Sequence, residues 1–173
     1  MITLFVEENN PLTPTFYNNL IINLQFHRLT CPCGHSGCLS VHGYYRRYIK
    51  TPDGKLPFRI CRVKRECCGH THAILLSSML PYSQISLPEQ VSIIKNYEDS
   101  LSQKSLMDCN NSIDESNWHY IIRQYLKHWK QKLLSERIRL DSITTLTSSC
   151  FQFFSCQFMQ IKSTQNILFF NTT

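Results

Sequence analysis

Six of the nine cysteines, all five glycines and four of the seven histidines of this 173-residue chain fall between Cys31 and His72. Two knuckle-like groups, Cys31-Pro32-Cys33-Gly34-His35-Ser36-Gly37-Cys38 and Cys67-Cys68-Gly69-His70-Thr71-His72, flank a stretch that reads as a β-hairpin. Its arms, Ser40–Thr51 and Leu56–Arg65, are rich in Tyr, Ile, Phe and Val. Pro52-Asp53-Gly54 between them supplies turn chemistry, with Gly54 taking the positive φ. A segment of this size buries too little apolar surface to stand alone. A structural metal worth about 10–16 kcal/mol supplies what is missing.

Zinc takes four soft ligands in a tetrahedron, and paired ligands on tight turns provide them. The expected set is Cys31, Cys33 and Cys68 with one of Cys67, His70 or His72, and Cys38 is a further candidate through Cys33-x4-Cys38. Adjacent Cys67 and Cys68 do not both reach one ion without strain. Two other readings stay open. One is a ribbon without metal, its cysteines packed as small hydrophobes. The other is a redox pair, although no Cys-x-x-Cys lies beside a βαβ pattern.

Charge is concentrated in two places. Residues 31–75 carry eight Lys and Arg against two acids, and residues 118–139 six against one, within a formal net charge of +6. On the hairpin Tyr44, Tyr45, Arg46, Arg47 and Tyr48 interleave aromatic and cationic groups, and Arg59, Arg62, Lys64 and Arg65 lie on the opposing arm. Arginine pairs bidentately with phosphate, and tyrosine stacks on bases or hydrogen-bonds to the nucleic-acid backbone. The second basic element is an amphipathic helix over about 115–138. Trp118, Ile121, Ile122, Tyr125, Trp129 and Leu133 make its apolar stripe, and Arg123, Lys127, Lys130 and Arg137 lie on another side. With segments Leu87–Tyr97 and Leu101–Met107 before it, this helix suits a helix-turn-helix-like unit. The expected nucleic-acid contacts are Tyr45, Arg46, Arg47, Arg62, Lys64, Arg123, Lys127 and Lys130. A solvated sheet face and a solvated helix face are the plainer alternatives.

The remaining segments read as packing elements. Ile2–Val6 suits a short strand, Thr13-Pro14 opens a helix through Leu24, and Thr71–Leu76 adds a third strand to the hairpin. A helix over about 142–162 carries Ile143, Leu146, Cys150, Phe154, Phe158 and Ile161 on one face. The tail's six Phe exceed what that face buries, so they dock on the rest of the chain or on a partner, a transposase or a second copy. The division expected is a packing segment over 1–29, a zinc-ribbon-like module over 30–80, a helical DNA-binding region over 81–139 and a Phe-rich helical tail over 140–173. The fold class is α+β. No apolar run suits a membrane span, and Met1–Val6 is too short for a signal peptide, so a cytoplasmic, nucleoid-associated protein is expected. The acids are scattered, with Glu7-Glu8, Glu98-Asp99 and Asp114-Glu115 the only adjacent pairs, which is no pattern for a metal-dependent nuclease.

The run Cys31-Pro32-Cys33-Gly34, His42-Gly43-Tyr44-Tyr45-Arg46-Arg47, Thr51-Pro52-Asp53-Gly54, Arg62-Val63-Lys64 and Cys68-Gly69-His70-Thr71-His72-Ala73, with Pro81-Tyr82-Ser83 beyond it, resembles a family of bacterial proteins known as a domain of unknown function. These resemble the zinc-ribbon front ends of insertion-sequence transposases. The resemblance covers roughly residues 28–100 and implies DNA binding in support of a mobile element, with no catalytic residues. Arg65 stands where that pattern has the first cysteine of its second pair, which shifts the register to Cys67 or weakens the metal site.

Overall fold

The first strand, β1 (Ile2–Phe5), is apolar at nearly every position because it is buried on both faces. The computed structural model describes residues 1–29, 34, 36–51, 54–66, 69–99, 113–161 and 168–171. Helix α1 (Pro14–Asn23) follows, capped by Thr13, whose Oγ1 accepts the Phe16 N–H at 3.2 Å, with Pro14 in the first turn. A 3-10 turn (Phe26–Arg28) leads to β2 (Leu39–Thr51) and β3 (Gly54–Arg65), and then β4 (Thr71–Leu76). These positions are close to the expected ones.

The strands form one mixed sheet in the order β2-β3-β4-β1-β5. β2, β3 and β4 are antiparallel neighbours, whereas β1 runs parallel to β4 on one side and to β5 (Leu168–Asn171) on the other. Strand β5 was not expected. Its four apolar-rich residues carry too short a pattern to separate strand from helix.

The β3–β4 ladder stops at Arg62–Ala73, and the next pair would be Cys61 and Ile74. The Tyr17 hydroxyl stands between them. It accepts the Cys61 N–H at 2.9 Å and donates to the Ile74 carbonyl at 2.9 Å. The ring of Tyr17 packs edge-on against Phe58, 6.1 Å between centroids. Helix α1 thus inserts one phenol where the distal half of the hairpin parts from the rest of the sheet. Burial raises the Tyr17 pKa well above its ordinary value, so the group stays a neutral donor.

The second half is helical: α2 (Leu87–Glu98), α3 (Glu115–His128), α4 (Lys130–Ser135) and α5 (Ile143–Phe154). Ser86 and Ser142 cap α2 and α5 through the Glu89 and Thr145 amides. The single helix expected over 115–138 is two. Trp129 leaves helical geometry at φ −121°, and its buried ring meets Phe154 and Phe158 edge-on at 5.9 and 5.1 Å. The tail helix ends at Phe154 rather than near residue 162, because Ser155 turns left-handed at φ 52° and the following turn buries Phe158. The expected helix Leu101–Met107 lies outside the described residues.

Two cores result. One joins β1, α1 and the hairpin, so the segments 1–29 and 30–80 share one interior, with 1–29 packing on the sheet. The other joins the helices with Phe158 and Met159. The two halves are linked at β2 and at the loop after β4. The Lys50 N–H donates to Gln84 O, the Ser86 N–H donates to Lys50 O at 3.1 Å, and Gln157 Nε2 donates to Ser77 O. The architecture is α+β, and no helix among the described residues is long and apolar enough to cross a membrane.

Candidate nucleic-acid interface

Two residues separate Thr51 from Gly54, and that pair fixes the hairpin register. Tyr44 lies opposite Cys61, Arg46 opposite Arg59, Tyr48 opposite Pro57 and Lys50 opposite Lys55. Because side chains alternate and directly opposed residues share a face, Tyr44, Arg46, Tyr48, Lys50, Lys55 and Arg59 all lie on one face. The other face of this distal half carries Ile49, Phe58 and Ile60, all buried against the core. The outward face is therefore basic and aromatic. Tyr44 and Tyr48 are 44% and 38% exposed, and Arg46, Lys55 and Arg59 are exposed.

The cations on β3 lean onto the tyrosines of β2 along the diagonals of the ladder. Arg59 Cζ lies 4.3 Å from the Tyr44 ring centroid, and Lys55 Nζ 4.9 Å from that of Tyr48. Arg46 and Arg59 oppose each other directly. Like charges in that arrangement are destabilising, and no carboxylate among the described residues forms an ion pair with either. The arrangement can accept a polyanion between two aromatic rings.

The expected contact residues separate in three dimensions. Arg46 is on this face. Tyr45 and Arg47 point the other way, and the Arg47 guanidinium donates to the Leu80 and Ser83 carbonyls. Burial lowers the Arg47 pKa, with Tyr45 opposing through a hydrogen bond. Arg47 fastens the hairpin to the loop after β4 and is not an open cation. Arg62 and Lys64 are exposed, but on the opposite face, because burial changes sides between Ile60 and Cys61, next to the bulge at Val41–Gly43. Arg62 donates to Thr71 Oγ1 at 2.9 Å. Arg65, counted among the hairpin cations, is buried. On α3, Arg123 and Lys127 are exposed. Lys130 is paired with Glu98 at 3.0 Å, which takes it out of the free basic face.

Tyr44, Tyr48, Lys55 and Arg59 were absent from the expected contact set. The two-residue separation between Thr51 and Gly54 was the signal for them, since it assigns even positions of β2 and odd positions of β3 to one face.

At the other end of the hairpin the ladder brings the described parts of both knuckles together. Leu39 pairs with Arg65, the Glu66 N–H donates to Cys38 O at 3.4 Å, and the Arg65 N–H donates to His70 O at 3.1 Å. Of the expected metal ligands, Cys31, Cys33, Cys67 and Cys68 lie outside the described residues. Cys38 is half-buried with Sγ 3.6 Å from Ser36 O, and His70 is exposed. His72 is buried with Nδ1 3.0 Å from the Met1 amino group. Burial lowers its pKa to about 4, with the amino group adding to the shift. Among the described residues no cluster of three His, Cys, Asp or Glu is placed to hold a metal ion.

A groove of about 530 Å³ lies between Lys50, the 81–85 loop, α3 and residues 159–161, and Tyr82 and Tyr120 on its lining are exposed. No family model, curated protein or solved structure matches this chain.

Proposed function

We propose that this chain binds DNA through the outward face of the β2–β3 hairpin, as a non-catalytic accessory or regulatory protein of a bacterial mobile element. The observation that carries the DNA reading is the directly opposed Arg46–Arg59 pair, set between Tyr44 and Tyr48 and without a carboxylate partner among the described residues. Two arginines at directly opposed positions relieve their repulsion by pairing with phosphates. The exposed Arg123 and Lys127 of α3 give a second basic surface, which would belong to a helix-turn-helix-like unit. The mobile-element assignment rests on the sequence resemblance over residues 28–100.

A structural zinc at the hairpin base accompanies this reading. The ladder that sets Cys38 beside Glu66 supports it, since Cys67 and Cys68 follow immediately in sequence. Elemental analysis of purified protein checks it. One zinc per chain is expected, reduced by Cys68→Ser, and a metal-free wild type refutes the assignment.

DNA binding is tested by fluorescence anisotropy over a salt series. The apparent affinity should fall by about 0.9 log units per log unit of salt for each phosphate contact. Arg46→Ala and Arg59→Ala should each reduce that slope by about one contact. Arg47→Met should leave the slope unchanged, because its guanidinium already serves Leu80 and Ser83. Salt-indifferent binding, or equal effects from all three substitutions, overturns the proposal.

The second reading, a protein–protein adaptor docking through the Phe-rich tail, has Phe153 in its favour at 50% exposure. Phe154 and Phe158 are already used against Trp129. A pull-down in which tail truncation abolishes partner capture, with DNA binding absent throughout, would favour it.

A further inference from the structure

We infer that the hairpin face recognises single-stranded nucleic acid, with Tyr44 and Tyr48 as stacking positions for unpaired bases; this rests on the DNA-binding reading above and narrows it. Phosphate binding explains Arg46, Arg59 and Lys55, and a tyrosine hydroxyl can add a hydrogen bond to it, but it leaves without a role two aromatic rings half-open to solvent among them. An aromatic ring contributes little to a phosphate. It contributes to a base by stacking, and the bases of a duplex keep their faces to themselves.

The spacing points the same way. Tyr44, Arg46 and Tyr48 occupy alternate positions on β2, so successive side chains stand about 6.7 Å apart along the strand. That is about twice the 3.4 Å step between neighbouring residues of one strand in a duplex. A nucleic-acid strand following β2 in register with these side chains has its bases unstacked, with room for a ring between them. Arg59 and Lys55 lie over the Tyr44 and Tyr48 rings at 4.3 and 4.9 Å, and a guanidinium plane extends the stacking surface. The supporting wall is stiff, because Ile49, Phe58 and Ile60 on the reverse side are fully buried.

The whole 173-residue chain is titrated against fluorescein-labelled oligothymidylate and against a duplex of equal length at the same salt. The single strand is expected to bind more tightly. Tyr44→Leu and Tyr48→Leu should each weaken single-strand binding by about tenfold and leave duplex binding nearly unchanged. Tyr→Phe at either position should retain single-strand binding, since the phenyl ring still stacks. If a Leu variant melts well below wild type, Tyr→Thr, which keeps strand propensity without a ring, replaces it. Tighter duplex binding, or Leu variants that hold oligothymidylate as well as wild type does, overturns the stacking assignment. In that event a loss of affinity in Arg46→Ala and Arg59→Ala leaves the DNA-binding reading in place. No binding to either probe removes both.

Discussion

A single oxygen does the work of a ladder rung where α1 meets the sheet. The Tyr17 hydroxyl satisfies a buried N–H on β3 and a buried carbonyl on β4 at once. Tyr17→Phe keeps the ring against Phe58 and leaves both backbone groups dry and unpaired. Each such group costs about 1–3 kcal/mol, so urea unfolding should give a midpoint clearly below wild type with an unchanged slope. Arg47 is a similar case. Ala in its place forfeits charge-assisted bonds to Leu80 and Ser83, each worth about 1.5–3 kcal/mol. Chemical denaturation should show that loss. Neither role was legible in the sequence, because each depends on which backbone groups the tertiary fold leaves without strand partners. Arg47 and Arg46 are neighbours of one type, and only the alternation of the strand sends one to the core loop and the other to solvent.

Among the elements, the hairpin was the most legible and the long helix the least. Pro-Asp-Gly between two β-rich arms fixed the strands to within a residue or two, and Thr13-Pro14 placed a helix start through local capping that needs no tertiary context. The break at Trp129 had no such local signal. A 3.6-residue apolar period continues through Trp129 and Leu133, and the ring's edge-on packing with two Phe from a later segment decides the geometry. Faces were misjudged for a related reason. Reading the hairpin as one basic surface overlooked the switch of the buried side between Ile60 and Cys61. One contact between elements carries a pH dependence. Lys50 on β2 holds the Asp114 carboxylate ahead of α3 at 3.0 Å and, by hydrogen bond and charge, keeps its pKa below the ordinary 3.8. A carboxyl depressed in the folded state stabilises above its unfolded pKa and loses that contribution as pH falls through the folded value. The effect is therefore confined to acid, below about pH 4. Lys50→Met should raise the Asp114 pKa in an NMR titration and flatten the fall in stability between neutral and acid pH that the pair produces. A pKa unmoved by the substitution contradicts the pairing.

On the scale of the whole molecule, the described residues pack around two interiors, and β1 lies inside the sheet between β4 and β5. A strand of four residues at the start of a chain gives no hint that it will be paired on both edges. The α+β class followed from composition and punctuation, whereas the mixed pairing depended on contacts between residues more than 160 positions apart. Removing residues 168–173 opens one edge of β1. With about 1 kcal/mol net per hydrogen bond, the melting temperature should drop by about 5–10 °C, read by circular dichroism together with increased self-association. A truncated protein that melts like the full chain would show that β5 contributes nothing. The pairing of β1 with β5 also sets an order of events during synthesis. Residues 2–5 are made before either of their partners, so one edge of β1 stays open until residues 74–76 exist and the other until residues 168–171 do. The middle of the sheet is thus assembled from segments that become available at three widely separated times.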